Sequence, residues 1–361
     1  MSKIKLLAIT PDSHGVGKYR IMDPYKFIGD NYMDEIHVDI AYNVTNTDEA
    51  FDGYDVVVFH TFIHQLPHEE NVKRVKWLKE KGVKVIIDID DFWAVDQRHP
   101  MFHKIRVEKI AEKRVELLRM ADFITTTTPI FAKSLKERLN VNNIIVFPNA
   151  IDPNEPQFQP NPIPSDKVRF GWLGGSSHLH DLDLMSNNIG SIISSDNVQF
   201  VLCGFDLRGI ITEINQQTGE RKERPILPTE TVWYEYEKFF TDNYKALDLD
   251  YIRYLQKYSN EPFDDSEKPY RRRWTEDISK YATNYNYFDV SLAPLVDSFF
   301  NSNKSQLKII EAGFHKKAII ASDVTPFNLD LTSAITDVKL NDTGNALLVS
   351  PNKNHKQWAQ H

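Results

Sequence analysis

Residues 289–322 read DVSLAPLVDSFFNSNKSQLKIIEAGFHKKAIIAS, and the order of elements in this stretch decides the fold. The apolar run at 290–292 predicts a short β-strand, 297–304 a polar loop, 305–314 a helix and 318–321 a second strand. A unit of this order delivers its loop to the carboxyl edge of a strand and the N-terminus of a helix. The first-turn amides, beginning at Ser305, have no partner inside the helix and point where a phosphate would sit. Lys304 stands at that mouth, and Lys308 lies one turn further in. Glu311 comes two turns along, at the end of an apolar face formed by Leu307 and Ile310. A carboxylate buried there needs partners, and two neighbouring hydroxyls, as on a ribose, would supply them. Taken alone, the stretch reads more readily as an ordinary βαβ unit in which Glu311 caps something local.

Working outward, the first half alternates strand and helix. Strands are expected at 4–9, 55–59, 83–89, 123–126 and 144–147, with helices at 70–81, 101–119 and 132–139. That alternation is the pattern of a doubly wound parallel sheet. Six prolines between Pro148 and Pro164 then forbid both helix and inner strand, which marks a linker. The pattern restarts with strands at 168–172 and 198–203. Residues 207–273 form an acidic, aromatic insertion that predicts helices, one of them at 250–258; Arg271 to Arg273 read as a phosphate site or, by default, as a solvated face. A helix at 275–285 leads into the opening stretch, and the final residues, NKNHKQWAQH, look like the first turns of another helix. The expected division is 1–155 and 156–361.

Several motifs fall at strand ends, where open α/β sheets place their ligands. Gly15 and Gly17 follow the first strand and permit close backbone approach, and Arg20 is placed to reach an anion. Gly174 and Gly175 do the same after the strand at 168–172, followed by His178 and His180. His60 and His64 end another strand; they read as loop or core histidines at least as readily as ligands, and zinc would need a third ligand. DIDDFW puts Asp88, Asp90 and Asp91 at a strand's carboxyl end and leaves several readings open. These are a metal-binding Asp-x-Asp, the nucleophile loop of a haloacid-dehalogenase-type phosphatase, carboxylates that hydrogen-bond an acceptor's hydroxyls, and a purely structural strand end.

Composition bounds the function. With 361 residues, 41% hydrophobic and 26% charged, the chain is that of a globular protein long enough for two domains. A formal charge of −8 argues against nucleic acid as the main partner. The single Cys203 permits no intramolecular disulfide and fits a reducing cytoplasm. No run approaches the roughly 18 apolar residues of a membrane span, which leaves peripheral membrane contact open. The short apolar run after the basic start MSKIK reads as a first strand rather than a signal peptide.

The order strand, Pro294, Phe299-Phe300-Asn301, Lys304-Ser305, Glu311-Ala312-Gly313, strand resembles the nucleotide-sugar site of GT-B glycosyltransferases, specifically the large retaining family four. The run Pro148-Asn149-Ala150-Ile151-Asp152 resembles that family's interdomain turn. In the family two glutamates stand eight residues apart; Glu311 matches the second, whereas Asn303 occupies the first position. The Arg and Lys that many members carry after the first strand of the second domain are replaced here by Gly175 and histidines.

The resemblance implies two Rossmann-like domains facing across a cleft, the second binding a nucleotide-diphosphate sugar. Gly15, Gly17, Arg20, Gly174, Gly175, His178, Asn303, Lys304, Ser305, Leu307 and Glu311 become donor-site candidates, with Lys304 and Asp91 as catalytic candidates. It implies sugar transfer to a glycan, lipid or protein acceptor, with retention and with no metal or other cofactor. The rivals are a non-catalytic sugar-nucleotide or glycan-binding protein and, more distantly, a phosphatase using Asp88 and Asp90.

Overall fold

The computed structural model describes residues 3–193, 195–206, 209–214, 218–241, 270–336 and 339–361. The chain divides into two compact units. The first comprises Met1–Asn154 together with Asp297–Lys308, and the second Glu155–Val296 together with Ile309–His361.

The first unit is built on six parallel strands: β1 (Ile4–Ile9), β2 (Ile36–Ala41), β3 (Val56–His60), β4 (Lys84–Ile89), β5 (Phe123–Thr126) and β6 (Ile144–Val146). They lie in the order β2-β1-β3-β4-β5-β6, so the winding reverses beside β1. At such a reversal the crevice at the carboxyl ends of the strands becomes the ligand edge. VVVF in β3 and VIIDI in β4 are near-continuous apolar runs because helices cover both faces of the sheet.

Helices α1 (Asp23–Asn31), α2 (His68–Glu80), α3 (Phe102–Val107), α4 (Ile110–Met120) and α5 (Pro129–Leu139) supply that cover. The single helix expected at 101–119 is two, because Lys109 adopts a left-handed conformation (φ 52°) between α3 and α4. Strand β2, whose residues carry no strand expectation, closes one side of the sheet. The core gathers Val57, Phe59, Val75, Ile87, Leu117, Phe131 and Leu135, and Phe300 from the 297–308 segment packs into it.

The second unit repeats the plan. Its strands include β7 (Val168–Leu173), β8 (Val198–Phe205), the hairpin β9 (Ile210–Ile214) and β10 (Arg221–Pro225), β11 (Tyr270–Trp274), β12 (Val290–Ala293) and β13 (Ala318–Ser322). A short antiparallel pair, β14 (Ile335–Thr336) with β15 (Lys339–Leu340), precedes β16 (Leu347–Val349). The parallel sheet runs β11-β8-β7-β12-β13-β16.

Four expectations are corrected here. Residues 207–273 contribute the β9–β10 hairpin, a helix at Val232–Thr241 and the strand β11, not helices alone; the helix expected at 250–258 lies outside the described residues. The solvated Arg271–Arg273 face is instead β11, with Arg272 only 2% exposed and its guanidinium pushed to a lower pKa by burial. At 275–285 the chain makes turns and a 3-10 segment, Tyr281–Tyr287. In the opening stretch a helical turn, Phe299–Ser302, is capped by Ser298 Oγ accepting from the Asn301 amide, and the main helix begins two residues late, at Leu307–Phe314.

His315 follows that helix and is 2% exposed, its ring stacked on Tyr285 at 5.1 Å between centroids. Neither ring nitrogen has a hydrogen-bond partner among the described residues. Burial, helped by the Lys317 charge and weakly opposed by the Gln157 backbone, lowers its pKa to about 4. A histidine so depressed binds fewer protons folded than unfolded between about pH 6.5 and pH 4, so its contribution to stability is lost as pH falls through that window. Urea midpoints should therefore drop across this range. His315→Phe should flatten the dependence by up to about 1.4 kcal/mol per pH unit; identical slopes in the two proteins would contradict the assignment.

Candidate functional site

At the carboxyl edge of the first unit, the loop after β1 folds around Asp12. Its carboxylate accepts from the amides of His14 (2.8 Å) and Gly17 (3.0 Å). A Cβ on Gly17 would lie 2.0 Å from the Asp12 carbonyl oxygen, so only glycine fits. The Gly17 amide is thus held inside the loop and not presented to a phosphate; Gly15 beside it is half-buried.

Arg20 is also turned inward. It is 1% exposed. Its Nε and Nη2 donate to the two oxygens of Asp88 (3.1 and 2.6 Å), and Nη1 donates to the Phe147 carbonyl (2.6 Å) and Asn149 Oδ1 (2.9 Å). Thr125 Oγ1 donates to the same Asp88 at 2.6 Å. This corrects two readings: Arg20 is a strut rather than an exposed anion contact, and Asp88, with both oxygens occupied, is not placed as a phosphatase nucleophile.

The other acids of DIDDFW differ from Asp88. Asp90 Oδ1 meets His60 Nε2 at 2.8 Å. Burial alone would raise the Asp90 carboxyl, but the charge and hydrogen bond of His60, with the charges of Arg20 and Arg114, hold it at about 2. The His60 imidazole shifts up for the reciprocal reason: burial opposes protonation and Asp90 outweighs it. Asp91 is accessible on its outer face yet crowded by protein. That crowding raises its carboxyl, Lys304 pulling it down and Asp90 adding to the rise. Arg114 of α4 adds its charge to Asp90 and Asp91, and its Nε is buried with no hydrogen-bond partner among the described residues. No three His, Cys, Asp or Glu side chains among the described residues group as metal ligands would, so the metal reading of Asp90 and Asp91 finds no third ligand here.

The 297–308 segment completes this edge. Ser305 Oγ accepts from Asn149 Nδ2 at 2.9 Å, which joins it through Asn149 to Arg20. Lys304 Nζ lies 4.9 Å from the centre of the Phe300 ring. Asn303 is fully buried; its Nδ2 donates to the Phe299 carbonyl at 2.6 Å, and its Oδ1 has no partner among the described residues. Leu307 is half-buried at the helix start.

In the second unit, β7 ends in Gly174 and Gly175. Gly174 packs against Trp172, where a Cβ would lie 2.6 Å from the indole, and its amide points to the Cys203 carbonyl at 3.4 Å. Gly175 faces open space. His178 Nδ1 meets Asp181 Oδ2 at 2.7 Å, His180 stands 3.6 Å from the other oxygen, and the Val296 amide donates to Asp181 at 2.9 Å. Burial would raise this carboxyl; the His178 hydrogen bond and charge, the His180 charge and the Val296 amide hold it at about 2. Asp181 escapes sequence reading because its partners come from β12's exit as well as from its own loop.

Glu311 is 4% exposed and accepts from the Tyr285 hydroxyl at 3.2 Å. Burial raises the Tyr281 hydroxyl, and the Glu311 charge adds to the rise. The residues buried on this helix are Ile309, Glu311 and Ala312, with Leu307 and Ile310 half-buried, so the apolar face is rotated from the expected one.

No family model matches the sequence, and no curated protein matches it. Solved structures do. An α-glucosyltransferase in complex with UDP and a 13-mer DNA containing a HMU base superposes with a TM-score of 0.53 at 10% identity, over 92% of this chain and 86% of that one. An α-glucosyltransferase in complex with UDP-glucose and abasic-site DNA gives 0.51 at 11% identity, over 91% and 85%. The UDP-forming α,α-trehalose-phosphate synthase of Burkholderia vietnamiensis gives 0.51 at 10%, over 100% and 88%. The chain spans 63% of the length of a trehalose-6-phosphate synthase that it matches at 0.45. At such identities the likeness is one of fold: two Rossmann-like units, as in GT-B glycosyltransferases. No helix among the described residues is long and apolar enough to cross a membrane.

The division of labour among the three aspartates is measurable. Arg20→Ala strands a buried carboxylate and should destabilise the protein by about 3–5 kcal/mol. Asp91→Asn, at an accessible carboxylate, should stay within about 0.5 kcal/mol of wild type. Equal destabilisation in denaturant titrations would overturn the assignment of Asp88 as structural and Asp91 as available.

Proposed function

We propose that this chain is a glycosyltransferase that moves a sugar from a nucleotide-diphosphate donor to an acceptor, retaining the anomeric configuration and requiring no metal. The observation that carries the reading is the β12–helix–β13 unit inside a two-unit GT-B fold. It combines a buried Glu311 with Lys304 and Ser305 at the entrance of the same helix.

The chemistry follows from the residues. A departing nucleoside diphosphate develops charge that must be met in the transition state. Lys304 and the Ser305 hydroxyl are the groups assigned to it. Glu311, an acceptor beside the Tyr285 hydroxyl, is assigned to the ribose. Asp91 and Arg114 hold an acceptor hydroxyl, with the His60–Asp90 pair fixing their surroundings; the leaving phosphate then takes the proton of the attacking hydroxyl. Asn303, buried and neutral, supports the loop and performs no proton transfer. The acceptor class stays open among glycan, lipid and protein, and the net charge of −8 weighs against nucleic acid.

The test uses calorimetry with UDP, GDP, ADP and CMP, each beside its free nucleoside. Since Glu311 is buried against Tyr285, Glu311→Gln is the better probe because it keeps the packing. It should weaken the nucleotide and the nucleoside alike, by about tenfold for each 1.4 kcal/mol lost. Lys304→Ala should weaken the diphosphate and spare the nucleoside. Wild-type protein that binds none of the nucleotides would overturn the proposal, as would a folded Glu311→Gln of undiminished affinity. Donor cleavage should survive EDTA; loss restored by Mn²⁺ would overturn the metal-independent part.

A further inference from the structure

The outer edge of β2 pairs with no other strand among the described residues. Its hydrogen-bonding pattern shows what that edge offers. The Ile4 amide bonds the Glu35 carbonyl and the Thr10 amide bonds the Ala41 carbonyl, and the register sets Ile4 against Ile36. In a parallel ladder of that register residues 35, 37, 39 and 41 turn their backbone groups toward β1, so Ile36, Val38 and Ile40 turn theirs outward. The Ile36 amide is taken by the Tyr32 carbonyl at 2.9 Å. The carbonyls of Ile36 and Val38 and the amides of Val38 and Ile40 remain at the edge.

Protected edge strands usually carry a proline, a bulge or an unpaired lysine. The strand IHVDIA has none of these. Its two polar positions are His37 and Asp39, with side chains 57% and 48% exposed and 3.3 Å apart, an imidazole able to donate a hydrogen bond beside a carboxylate able to accept one. Beside the edge, under α1, lies a hollow of 260 Å³ bordered by Tyr25, Met33, Ile36, Val38 and Ile40 and by the charged Lys3, Lys26 and Asp30. Met33 is 60% exposed and Ile40 40%.

We infer that β2 pairs antiparallel with the β2 of a second copy of this chain about a two-fold axis through Val38. Three features fix that register. Val38 faces Val38 with outward backbone groups on both sides, as a hydrogen-bonded pair requires, giving two bonds; Ile40 amides to the opposite Ile36 carbonyls give two more. His37 falls opposite the partner's Asp39 and Asp39 opposite the partner's His37, in the non-hydrogen-bonded positions where side chains approach most closely. Sliding by two residues in either direction sets His37 against His37 and Asp39 against Glu35, or Asp39 against Asp39; like charges facing directly are unfavourable. On the α1 side the same register lays Ile36 against Ile40 across the axis, bringing the exposed Met33 and Ile40 side chains of the two copies toward one another and leaving Lys3, Lys26 and Asp30 around them. A symmetric pairing of this kind closes on itself and uses up the β2 edge of both copies. The charge pattern is complementary to itself, which selects a second copy over an unrelated strand.

Sedimentation velocity on the full chain over a wide concentration range tests this. Wild type should show a reversible monomer–dimer equilibrium. Ile40→Pro removes two of the four bonds but none of the sheet's own, because the Ile40 amide points away from β1; it should sediment as monomer with an unchanged circular-dichroism spectrum. His37→Asp turns two attractive pairs into two repulsive ones and should weaken the dimer about tenfold or more. Adding Asp39→His to that variant should restore it. A wild-type protein that stays monomeric at every concentration overturns the inference, as does a dimer indifferent to both single changes or a double variant no tighter than His37→Asp.

Discussion

The buried ion pair between Arg20 and Asp88 is the constraint on which the first unit's ligand edge depends. Each partner is 1% exposed, so neither charge tolerates the loss of the other. Removing two ions from water is costly, and close geometry with further hydrogen bonds is what offsets it. Both conditions hold: Arg20 forks onto Asp88, Thr125 adds a donor, and Phe147 and Asn149 accept from the remaining arm. The result ties together the segment after β1, the end of β4, strand β5 and the exit from β6. Through Asn149 it reaches Ser305, a residue distant in sequence. With Asp88 so held, the two acids that follow it are free for other work: Asp90 orders His60, and Asp91 remains accessible.

The second unit solves the same problem with different groups. Asp181 is kept ionised by two histidines and a backbone amide, so those histidines are oriented by a fixed charge. Glu311 is screened from water by the helix that carries it and by Tyr285. Each sheet edge thus buries an acid that positions its neighbours, and glycines at 17 and 174 let the backbone close over the strand ends.

Much of the architecture was legible because two-sided burial writes itself into sequence as Val/Ile runs. Strands β3, β4 and β13 carry that signal, and β1, β7, β8 and β12 carry it more weakly as mixed apolar stretches. What escaped did so for identifiable reasons. Strand β2 alternates apolar and polar residues at an edge, a weak pattern over six positions. Strand β11 holds three consecutive arginines, and aromatic rings rather than aliphatic neighbours receive them: Arg272 lies 4.8 Å from the Phe205 ring and Arg273 3.6 Å from that of Tyr287. The break at Lys109 is a backbone choice that no proline or glycine announces. At the site, the positions of Lys304, Ser305 and Glu311 on a loop and helix were readable from spacing. The inward turn of Arg20, the capture of the Gly17 amide by Asp12 and the contribution of Arg114 were not, because each depends on a partner far along the chain or on loop geometry.

The central claim is that the chain cleaves the bond between a sugar and a nucleoside diphosphate with retention. The direct measurement is real-time NMR of the protein incubated with a panel of UDP-, GDP- and ADP-sugars in EDTA. Phosphorus signals report release of the nucleoside diphosphate, and proton signals report which anomer of the sugar forms first. The account predicts that one donor is consumed, that the first-formed anomer has the donor's configuration, and that Lys304→Ala slows its consumption. No consumption of any donor, or a first-formed anomer of inverted configuration, would contradict it.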